Sequence, residues 1–363
     1  MRVLLVCETL EAGGAERQVT TDAAVLAEGG VSVAVVSWSG GSMEKNLPPS
    51  VPQYRLHRAS WTGRFQGLRG VWRDWRPDVV QSHLTGANLL TSVCGRTMGT
   101  PVVVTEHGLG LWRTEELKFR AAVRVTYAAA SEILCVCEAT RRAKMELERA
   151  PEVKTRVAYN SFSPTSVGDA RLGAKLRVAL GIPPEAFVGA FVGRLIDVKR
   201  PDLLMQIAGA LSGRLAGCHF MVVGDGPWSG ALKEWADAPH LRGRVHLLGH
   251  RRDVNAVYGA SDVLLLPSER EALSLTLLEG AASGLPAVAF DVGGNGEAIA
   301  DGESGFVVPF LDVGAFAEKI LVLGEHREER AEMGRRAAAR AQALFSPEAR
   351  LSALLGTYRM MLE

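Results

Sequence analysis

Two glutamates stand at the ends of the stretch EALSLTLLE, residues 271–279, in which every other position is apolar or a small hydroxyl residue. If both lay on one helix, about 12 Å of rise and about 80° of rotation would separate them. That is too far for two carboxylates that share a proton, or for the pair of a glycosidase. We therefore interpret Glu271 and Glu279 as separate carboxylates that accept hydrogen bonds from one long polar ligand.

A helix is predicted to begin near Ser274, with Glu271 in the loop before it and Glu279 one or two turns in. The backbone N–H groups of Leu273, Ser274 and Leu275 would then be unpaired at the helix N-terminus, where they favour an anion. Two carboxylates with anion-binding amides between them suit a sugar nucleotide. The alternative is that Glu279 is a buried structural acid paired with a base, and that Glu271 is a surface charge.

Two cations, Arg194 and Lys199 in GRLIDVKRPDLL, stand at a predicted strand-to-helix turn. Arginine binds phosphate through its planar fork and lysine binds it as a point charge, so the pair could clamp a diphosphate. No two aspartates of the chain are two residues apart, so the Asp-x-Asp arrangement that often holds a divalent metal is absent. The two cations would then have to replace the metal. The alternative is solvated surface charge.

A glycine pair, Gly13 and Gly14 in GGAER, follows the first predicted strand and opens a helix. Bare amides and the helix dipole at that place suit a phosphate. The spacing is not GxGxxG, which disfavours a dinucleotide-dependent oxidoreductase. A tight turn that needs positive φ is the other explanation for such a pair.

The elements that must position these residues follow from the alternation of short β-branched runs with amphipathic helical patterns. Such runs are typical of buried parallel strands covered by helices, so the pattern predicts a doubly wound α/β half. The pattern restarts after a polar stretch that begins at Asn160, which predicts a second half with the boundary after residue 163. Two such halves leave a cleft, and open α/β sheets bind ligands beyond the carboxyl ends of their strands.

The composition excludes several classes of protein. The chain has 363 residues, more than one ordinary domain, and a formal net charge of +1, so no nucleic-acid partner is expected. Five scattered cysteines give neither a disulfide framework nor metal-ligand spacing, and no metal is expected. The longest apolar runs are strand-sized and the N-terminus lacks the features of a signal peptide, so we expect a cytoplasmic protein.

Nine motifs occur in one order: GGAER, TEHG, GRLIDVKRPDLL, VVGDGP, LGHRRDV, ASDVLLLPS, the E-x7-E pair, GLPAVAFDVGGNGE and DGESGFVVP. In this order they resemble the retaining glycosyltransferases of family 4, over nearly the whole chain. The resemblance implies an α/β fold of the GT-B class, with two Rossmann-like parallel-sheet domains facing across a cleft. It implies an N-terminal acceptor domain, 1–163, joined by a C-terminal helix, 346–363, that crosses back to it. The donor domain would be 164–345.

The resemblance also implies roles for single residues in the donor domain. Arg194 and Lys199 match the diphosphate clamp of the family. Glu279 matches the carboxylate that binds the ribose hydroxyls, and Glu271 matches the one that faces the donor sugar. The amides of residues 273–275 would bind the sugar and the phosphates.

In the N-terminal domain, Gly13 and Gly14 match the loop that approaches the diphosphate, and His107 in TEHG matches the histidine near the reacting carbon. Without the resemblance, nothing in the sequence favours His107 over His83 in QSHL. The implied front-face reaction needs no base from the protein, because the departing phosphate oxygen accepts the proton of the acceptor. It also needs no cofactor beyond the nucleotide-sugar co-substrate.

We therefore expect a metal-independent transfer of a hexosyl unit from a nucleotide diphosphate sugar, with UDP as the first expectation for the nucleotide. The acceptor would be a hydroxyl of a glycan, a lipid-linked molecule or a small molecule. Two alternatives remain: a nucleotide-sugar epimerase of the same architecture, and a non-catalytic sugar-nucleotide binding protein. The fold alone does not distinguish them.

Arginines and aromatic side chains interleave in residues 58–76. One interpretation is a helix that lies on an anionic membrane or contacts an acidic, lipid-linked acceptor, which would place the protein at the inner face of the membrane. The other is a surface helix whose aromatic side chains pack into the N-terminal domain under the arginines. The arginines are Arg58, Arg64, Arg69, Arg73 and Arg76, and the apolar positions at helical spacing are Phe65, Leu68, Trp72 and Trp75.

Overall fold

The computed structural model describes residues 1–11, 13–57, 60–110, 117–211, 213–215, 217–239 and 241–363. The chain divides into two compact units. Unit 1 comprises Met1–Ser161 and Pro347–Glu363, and unit 2 comprises Phe162–Ser346. Each unit is a parallel sheet with helices packed on it, as the alternating pattern predicts.

Unit 1 is built on a parallel sheet. Its strands within the described residues are β1 (Arg2–Cys7), β2 (Ser32–Ser37), β3 (Gln53–Arg55), β4 (Val79–His83), β5 (Val102–Glu106), β6 (Glu132–Cys135) and β7 (Thr155–Val157). They pair in the order β3-β2-β1-β4-β5-β6-β7, and every pair is parallel. The strands β3 and β7 close the two edges with three residues each.

Helices cover both faces of this sheet. They are α1 (Gly14–Glu28), α2 (Trp61–Trp75), α3 (Thr85–Met98), α4 (Leu117–Ala129) and α5 (Glu138–Glu148). Successive residues of β1 belong to different cores: Val3 and Leu5 pack in one buried cluster, and Leu4 and Val6 pack in another. Side chains alternate between the faces of a strand, so a strand that is apolar at every position must be covered on both sides.

Unit 2 repeats this architecture. Its strands are β8 (Val188–Val192), β9 (His219–Val223), β10 (Val245–Gly249), β11 (Val263–Leu266), β12 (Ala287–Phe290) and β13 (Gly305–Val308), in the order β10-β9-β8-β11-β12-β13. Its helices are α6 (Ala170–Ala179), α7 (Pro201–Leu211), α8 (Ser229–Ala236), α9 (Val254–Ala260), α10 (Leu275–Ala282), α11 (Asn295–Ala298), α12 (Val313–Glu325) and α13 (Arg327–Phe345).

The last helix, α14 (Pro347–Leu362), belongs to unit 1 although it follows unit 2 in the chain. Leu354 and Tyr358 are fully buried in the cluster that contains Val3 and Leu5 of β1. Proline at the first position suits a helix start, because its missing N–H would have no intrahelical partner there. The chain thus returns to unit 1 at its last helix, an arrangement that the family resemblance implies.

The order of each sheet identifies the edge where a ligand is expected. In unit 1 the order reverses between β1 and β4, and in unit 2 it reverses between β8 and β11. Open α/β sheets bind ligands outside the carboxyl ends of strands at this reversal, because the connecting loops diverge there and leave a crevice. Residues that directly follow these four strands are the first candidates for function.

The helix α2 contains most of the arginine- and aromatic-rich segment 58–76; Arg58 lies outside the described residues. Leu68 and Trp72 are buried, at 0% and 2% exposure, and the remaining aromatic positions of the helical pattern are half-buried against the same cluster. Trp61 at the helix start is 50% exposed. The apolar face of α2 thus packs on unit 1, as the second interpretation expects. Membrane contact stays a prediction, which sedimentation with anionic liposomes would test.

No helix within the described residues combines the length and the apolar character that a bilayer span requires.

Candidate functional site

The two predicted clamp residues follow β8, the first strand at the reversal in unit 2. Arg194 comes two residues after the strand and is exposed, and Lys199 ends the short 3-10 turn Asp197–Lys199 and is partly buried. The helix α7 begins two residues later, at Pro201. The structure therefore places both cations in the strand-to-helix connection at the carboxyl edge of the sheet, where an anionic ligand is expected.

Glu271 follows β11, the other strand at the reversal, and contacts one of the two cations. Lys199 Nζ lies 2.5 Å from Glu271 Oε1, and the two side chains are 19% and 10% exposed. The structure thus brings together two residues that are 72 positions apart in the sequence. An ammonium has three N–H donors, so this ion pair leaves Lys199 the capacity to bind a further acceptor.

Glu279 lies on α10, where it is only 1% exposed. Its Oε2 accepts a hydrogen bond from the Tyr258 hydroxyl of α9 at 2.9 Å. Burial agrees with the alternative in which this carboxylate is a structural acid, and a tyrosine hydroxyl is one of its partners. The assignment of Glu279 to ligand hydroxyls stays a prediction.

The helix α10 begins at Leu275 and its N-cap is Ser274, which confirms the predicted start. The Ser274 side chain forms no capping hydrogen bond. The first backbone N–H groups of a helix have no intrahelical acceptor, so this N-terminus offers amide donors at the same edge of the sheet as Arg194. Leu273 and Ser274 themselves are buried, at 6% and 4% exposure.

Two glycines of VVGDGP hold the loop that carries Arg194. Gly224 has φ of +139°, and a Cβ there would lie 1.8 Å from the Gly193 carbonyl oxygen. Gly226 has φ of +155°, and a Cβ would lie 2.4 Å from the Leu195 carbonyl oxygen. The Leu195 amide donates to the Asp225 carbonyl at 2.9 Å, so the loops after β8 and β9 touch backbone to backbone. Only glycine permits this approach.

We expect Gly224→Ala to lower the free energy of unfolding of unit 2 by at least about 2 kcal/mol, because it adds backbone strain to a clash with a carbonyl. Gly230→Ala is the matched control, since a Cβ at Gly230 on α8 meets no atom within 4 Å. That variant should stay within about 1 kcal/mol of the wild type. Urea denaturation of both variants measures the difference, and equal stability would contradict the close approach.

In unit 1 the glycine pair lies at the start of α1. Gly13 is the N-cap, with extended backbone at φ of −149°, and Gly14 is the first helical residue. Neither glycine has positive φ, so the tight-turn explanation is wrong. A Cβ on Gly13 would lie 2.2 Å from Oε2 of Glu16, so a carboxylate lies beside the amides that were expected to bind an anion. The diphosphate role of Gly13 and Gly14 stays a prediction.

His107 follows β5 and contacts His83, the last residue of the neighbouring strand β4. His83 Nδ1 and His107 Nε2 are 2.8 Å apart, and the two rings stack with their centroids 5.1 Å apart. Burial, and then the charge of Arg350, lower the pKa of His83 to about 3. Burial is also the main cause that holds the pKa of His107 well below its usual range, followed by His83 and Arg350. Both rings are therefore neutral near pH 7.

A buried network fixes the end of β5 just before His107. Lys144 Nζ lies 2.9 Å from Glu106 Oε2 and 3.0 Å from Glu148 Oε1, and Tyr127 donates to Glu148 at 2.6 Å. Asn88 Nδ2 donates to Glu106 Oε1 at 3.2 Å. Burial alone would lower the pKa of Lys144, but the two glutamates outweigh it and raise that pKa. This network holds the strand end from which His107 projects.

The predicted residues divide between the units: Gly13, Gly14 and His107 belong to unit 1, and the others belong to unit 2. Sequence reasoning did not find the pairing of Lys199 with Glu271, the role of Gly224, or the contact between His83 and His107. Within the described residues, no three histidine, cysteine, aspartate or glutamate side chains come together as a metal site would require.

Comparison with known proteins gives consistent matches over nearly the whole chain. A family profile described as Glycosyl transferases group 1 matches residues 174–340, and one described as Glycosyltransferase Family 4 matches residues 12–165. The chain is 30% identical to D-inositol 3-phosphate glycosyltransferase of Mycolicibacterium smegmatis, over 96% of this chain and 87% of that protein. The enzyme of the same name from Segniliparus rotundus is 29% identical, over 98% and 86%.

Solved structures share the fold. The structure of Anabaena HepE in complex with UDP matches with a TM-score of 0.85 and 21% identity, over 99% of this chain and 100% of that chain. A glycosyltransferase from Rickettsia africae matches with a TM-score of 0.86 and 19% identity, over 99% and 98%.

The two profiles cover both halves of the chain in the order that the motifs predict, and the relatives align over nearly all of it. The two parallel sheets give the two Rossmann-like domains that the GT-B class requires. This chain belongs to glycosyltransferase family 4 and is a glycosyltransferase of the GT-B fold.

Proposed function

We propose that this glycosyltransferase is retaining and metal-independent, and that it transfers a hexosyl unit from a UDP-sugar to a hydroxyl acceptor in the cytoplasm. The observation that carries the proposal is the position of Arg194, Lys199 and Glu271 after β8 and β11, the strands between which the order of the sheet reverses. Two cations and a carboxylate at this edge match the charge of a diphosphate and the hydroxyls of a sugar.

The proposed reaction is a front-face displacement. The bond between the anomeric carbon and the diphosphate oxygen breaks while the acceptor oxygen approaches the same face, and the departing oxygen takes the acceptor proton. Arg194 and Lys199 bind the oxygens on which negative charge grows, so their contacts strengthen towards the transition state. Glu271 already pairs with Lys199 through Oε1, and its second oxygen can accept from a sugar hydroxyl.

The choice of donor and acceptor is supported by relatives. The HepE structures contain UDP and UDP-glucose, which makes UDP-glucose the first donor to test. The relatives from Mycolicibacterium smegmatis and Segniliparus rotundus are named for D-inositol 3-phosphate, so a phosphorylated cyclitol is the first small-molecule acceptor to test. We propose a hydroxyl acceptor of this small-molecule kind, with glycan and lipid-linked acceptors as the other candidates.

A thermal-shift panel of UDP-, GDP-, ADP- and dTDP-sugars in EDTA tests donor binding. A ligand that binds only the native protein raises its stability by about 2.7 kcal/mol at 100 times the dissociation constant, so the melting temperature should rise with the UDP-sugar. The rise should persist in chelator and vanish in Arg194→Ala. Arg171→Ala is the matched control, because Arg171 is an exposed arginine on α6 of the same unit.

Three results would contradict the proposal. A shift that requires added metal would show that the two cations do not replace it. A shift with no transfer to any acceptor would favour the binding protein, and conversion of the donor to another nucleotide sugar would favour the epimerase. The anomeric configuration of the product, read from its NMR coupling constants, decides whether the enzyme retains the configuration of the donor sugar.

A further inference from the structure

We propose that His83 is a positioning residue that holds His107 in one tautomer, with the His107 proton on Nδ1. The inference rests on the proposed function, because it concerns the histidine assigned to the reacting carbon. It is carried by the contact between the two rings and by the second nitrogen of His83, which has no partner among the described residues.

The two strands bring the rings together. β4 and β5 pair in parallel with His83 opposite Thr105, and His107 lies two residues beyond. His83 Nδ1 then meets His107 Nε2 at 2.8 Å, a normal hydrogen-bond distance. One proton lies between the two nitrogens, so one ring donates and the other accepts.

The direction of this hydrogen bond follows from the surroundings of Nε2, the second ring nitrogen of His83. The ring is fully buried, at 0% exposure, and Nε2 has no hydrogen-bond partner among the described residues. A buried N–H without an acceptor is rarer and less favourable than a buried acceptor without a donor. His83 therefore carries its proton on Nδ1 and donates it to His107 Nε2.

The tautomer of His107 follows. Its Nε2 accepts from His83, so the proton of the neutral ring must be on Nδ1. The pKa values of both rings lie below their usual range, mainly because of burial, which keeps both rings neutral. His107 can thus donate one hydrogen bond from Nδ1 to a sugar or acceptor oxygen. It cannot act as a general base through Nε2, which agrees with a reaction that needs no protein base.

Two-bond ¹H–¹⁵N NMR correlations of histidine-labelled protein test the tautomer directly. We expect His107 in the wild type to show the Nδ1–H pattern. His83→Asn places an amide nitrogen near the position of Nδ1 and should keep this pattern, whereas His83→Leu removes the donor and should release His107 to the Nε2–H form. An Nε2–H pattern in the wild type, or an unchanged pattern in His83→Leu, would overturn the inference.

Steady-state kinetics give the second measurement. We expect kcat of His83→Leu to fall by about 10- to 100-fold, with little change in the donor KM and with recovery in His83→Asn. If His83→Leu does not fold, His83→Gln replaces it, because its amide lies nearer the Nε2 position and loses the contact.

A second histidine pair provides the control. His219 Nδ1 and His246 Nε2 are 3.1 Å apart in stacked rings, but they lie near the amino ends of β9 and β10 in unit 2, away from the carboxyl edge. His246→Leu should therefore keep kcat within about twofold of the wild type. The NMR result stands even if the protein transfers no sugar, so failure of the tautomer assignment and failure of the proposed function are distinguishable.

Discussion

Arg194→Ala is expected to lower kcat for sugar transfer by about 100- to 1,000-fold, the usual effect of removing one donor that stabilises transition-state charge. The side chain is exposed after β8, so its loss should change the stability of unit 2 by little. The effect should appear mainly in kcat, because in the proposed reaction the contact between the guanidinium and the diphosphate strengthens as the diphosphate leaves. Initial rates at saturating donor and acceptor measure it.

Lys199 gives a sharper version of the same experiment, because the structure pairs it with Glu271. Lys199→Met removes the ammonium that we propose binds the diphosphate, and it leaves a carboxylate that is only 10% exposed without its cation. Adding Glu271→Gln removes that unpaired charge, so the double variant should regain stability without regaining kcat. A double variant that regained activity would show that Lys199 acts by neutralising Glu271 and not by binding the diphosphate.

The control for both experiments is Arg171→Ala, which removes an exposed arginine of unit 2 on α6. Its kcat should be that of the wild type. A smaller change in kcat for Arg194→Ala than for Arg171→Ala, or a rise in the donor KM alone, would contradict this expectation. Either result would mean that Arg194 stabilises the transition state no more than it stabilises the bound donor. The clamp assignment would then be wrong.

The sequence predicted the fold class because both sheets are parallel and buried on two faces. Such strands are continuous apolar runs, whereas the helices between them show the spacing of an amphipathic helix. Strands and helices can therefore be distinguished in the sequence. The start of α10 was predicted to lie near Ser274, and the structure confirms it. The short strands β3 and β7 were missed, since each has only three residues and an edge strand needs no apolar run.

Contacts between distant residues could not be predicted in the same way. Nothing local in the sequence pairs Lys199 with Glu271, because that pairing depends on β8 and β11 being neighbours in the sheet. The contact between His83 and His107 likewise depends on the register of β4 and β5. The backbone of Gly13 could not be predicted either. A glycine pair suggests a tight turn with positive φ, but Gly13 is the N-cap of α1, and an N-cap adopts extended backbone with any residue.

A buried ion pair should contribute one of the largest effects on stability in unit 1. Asp22 on α1 and Arg350 on α14 are 0% and 1% exposed, and the guanidinium contacts the carboxylate through two nitrogens at 2.8 and 2.7 Å. Its third nitrogen donates to the carbonyl oxygens of Ala158 and Tyr159 at 2.8 and 3.1 Å. This arrangement joins the last helix of the chain to the first helix and to the segment after β7.

We expect Asp22→Ala to lower the free energy of unfolding of unit 1 by about 3 to 5 kcal/mol, because it leaves a buried guanidinium without its counter-charge. The double variant Asp22→Leu with Arg350→Met should recover most of that loss, since it removes both charges and fills similar volume. Hydrogen exchange measured on peptides from α1 and α14 reports the opening of this unit, and peptides from unit 2 serve as the internal control.

The comparison of single and double variants decides what the pair does. Recovery in the double variant would mean that α14 is held mainly by its apolar contacts, such as those of Leu354 and Tyr358, and that the charges add specificity. A double variant as unstable as Asp22→Ala would mean instead that the hydrogen bonds from Arg350 to Ala158 and Tyr159 are needed to hold the returning helix. Faster exchange in unit 2 peptides would contradict the assignment of this ion pair to unit 1 alone.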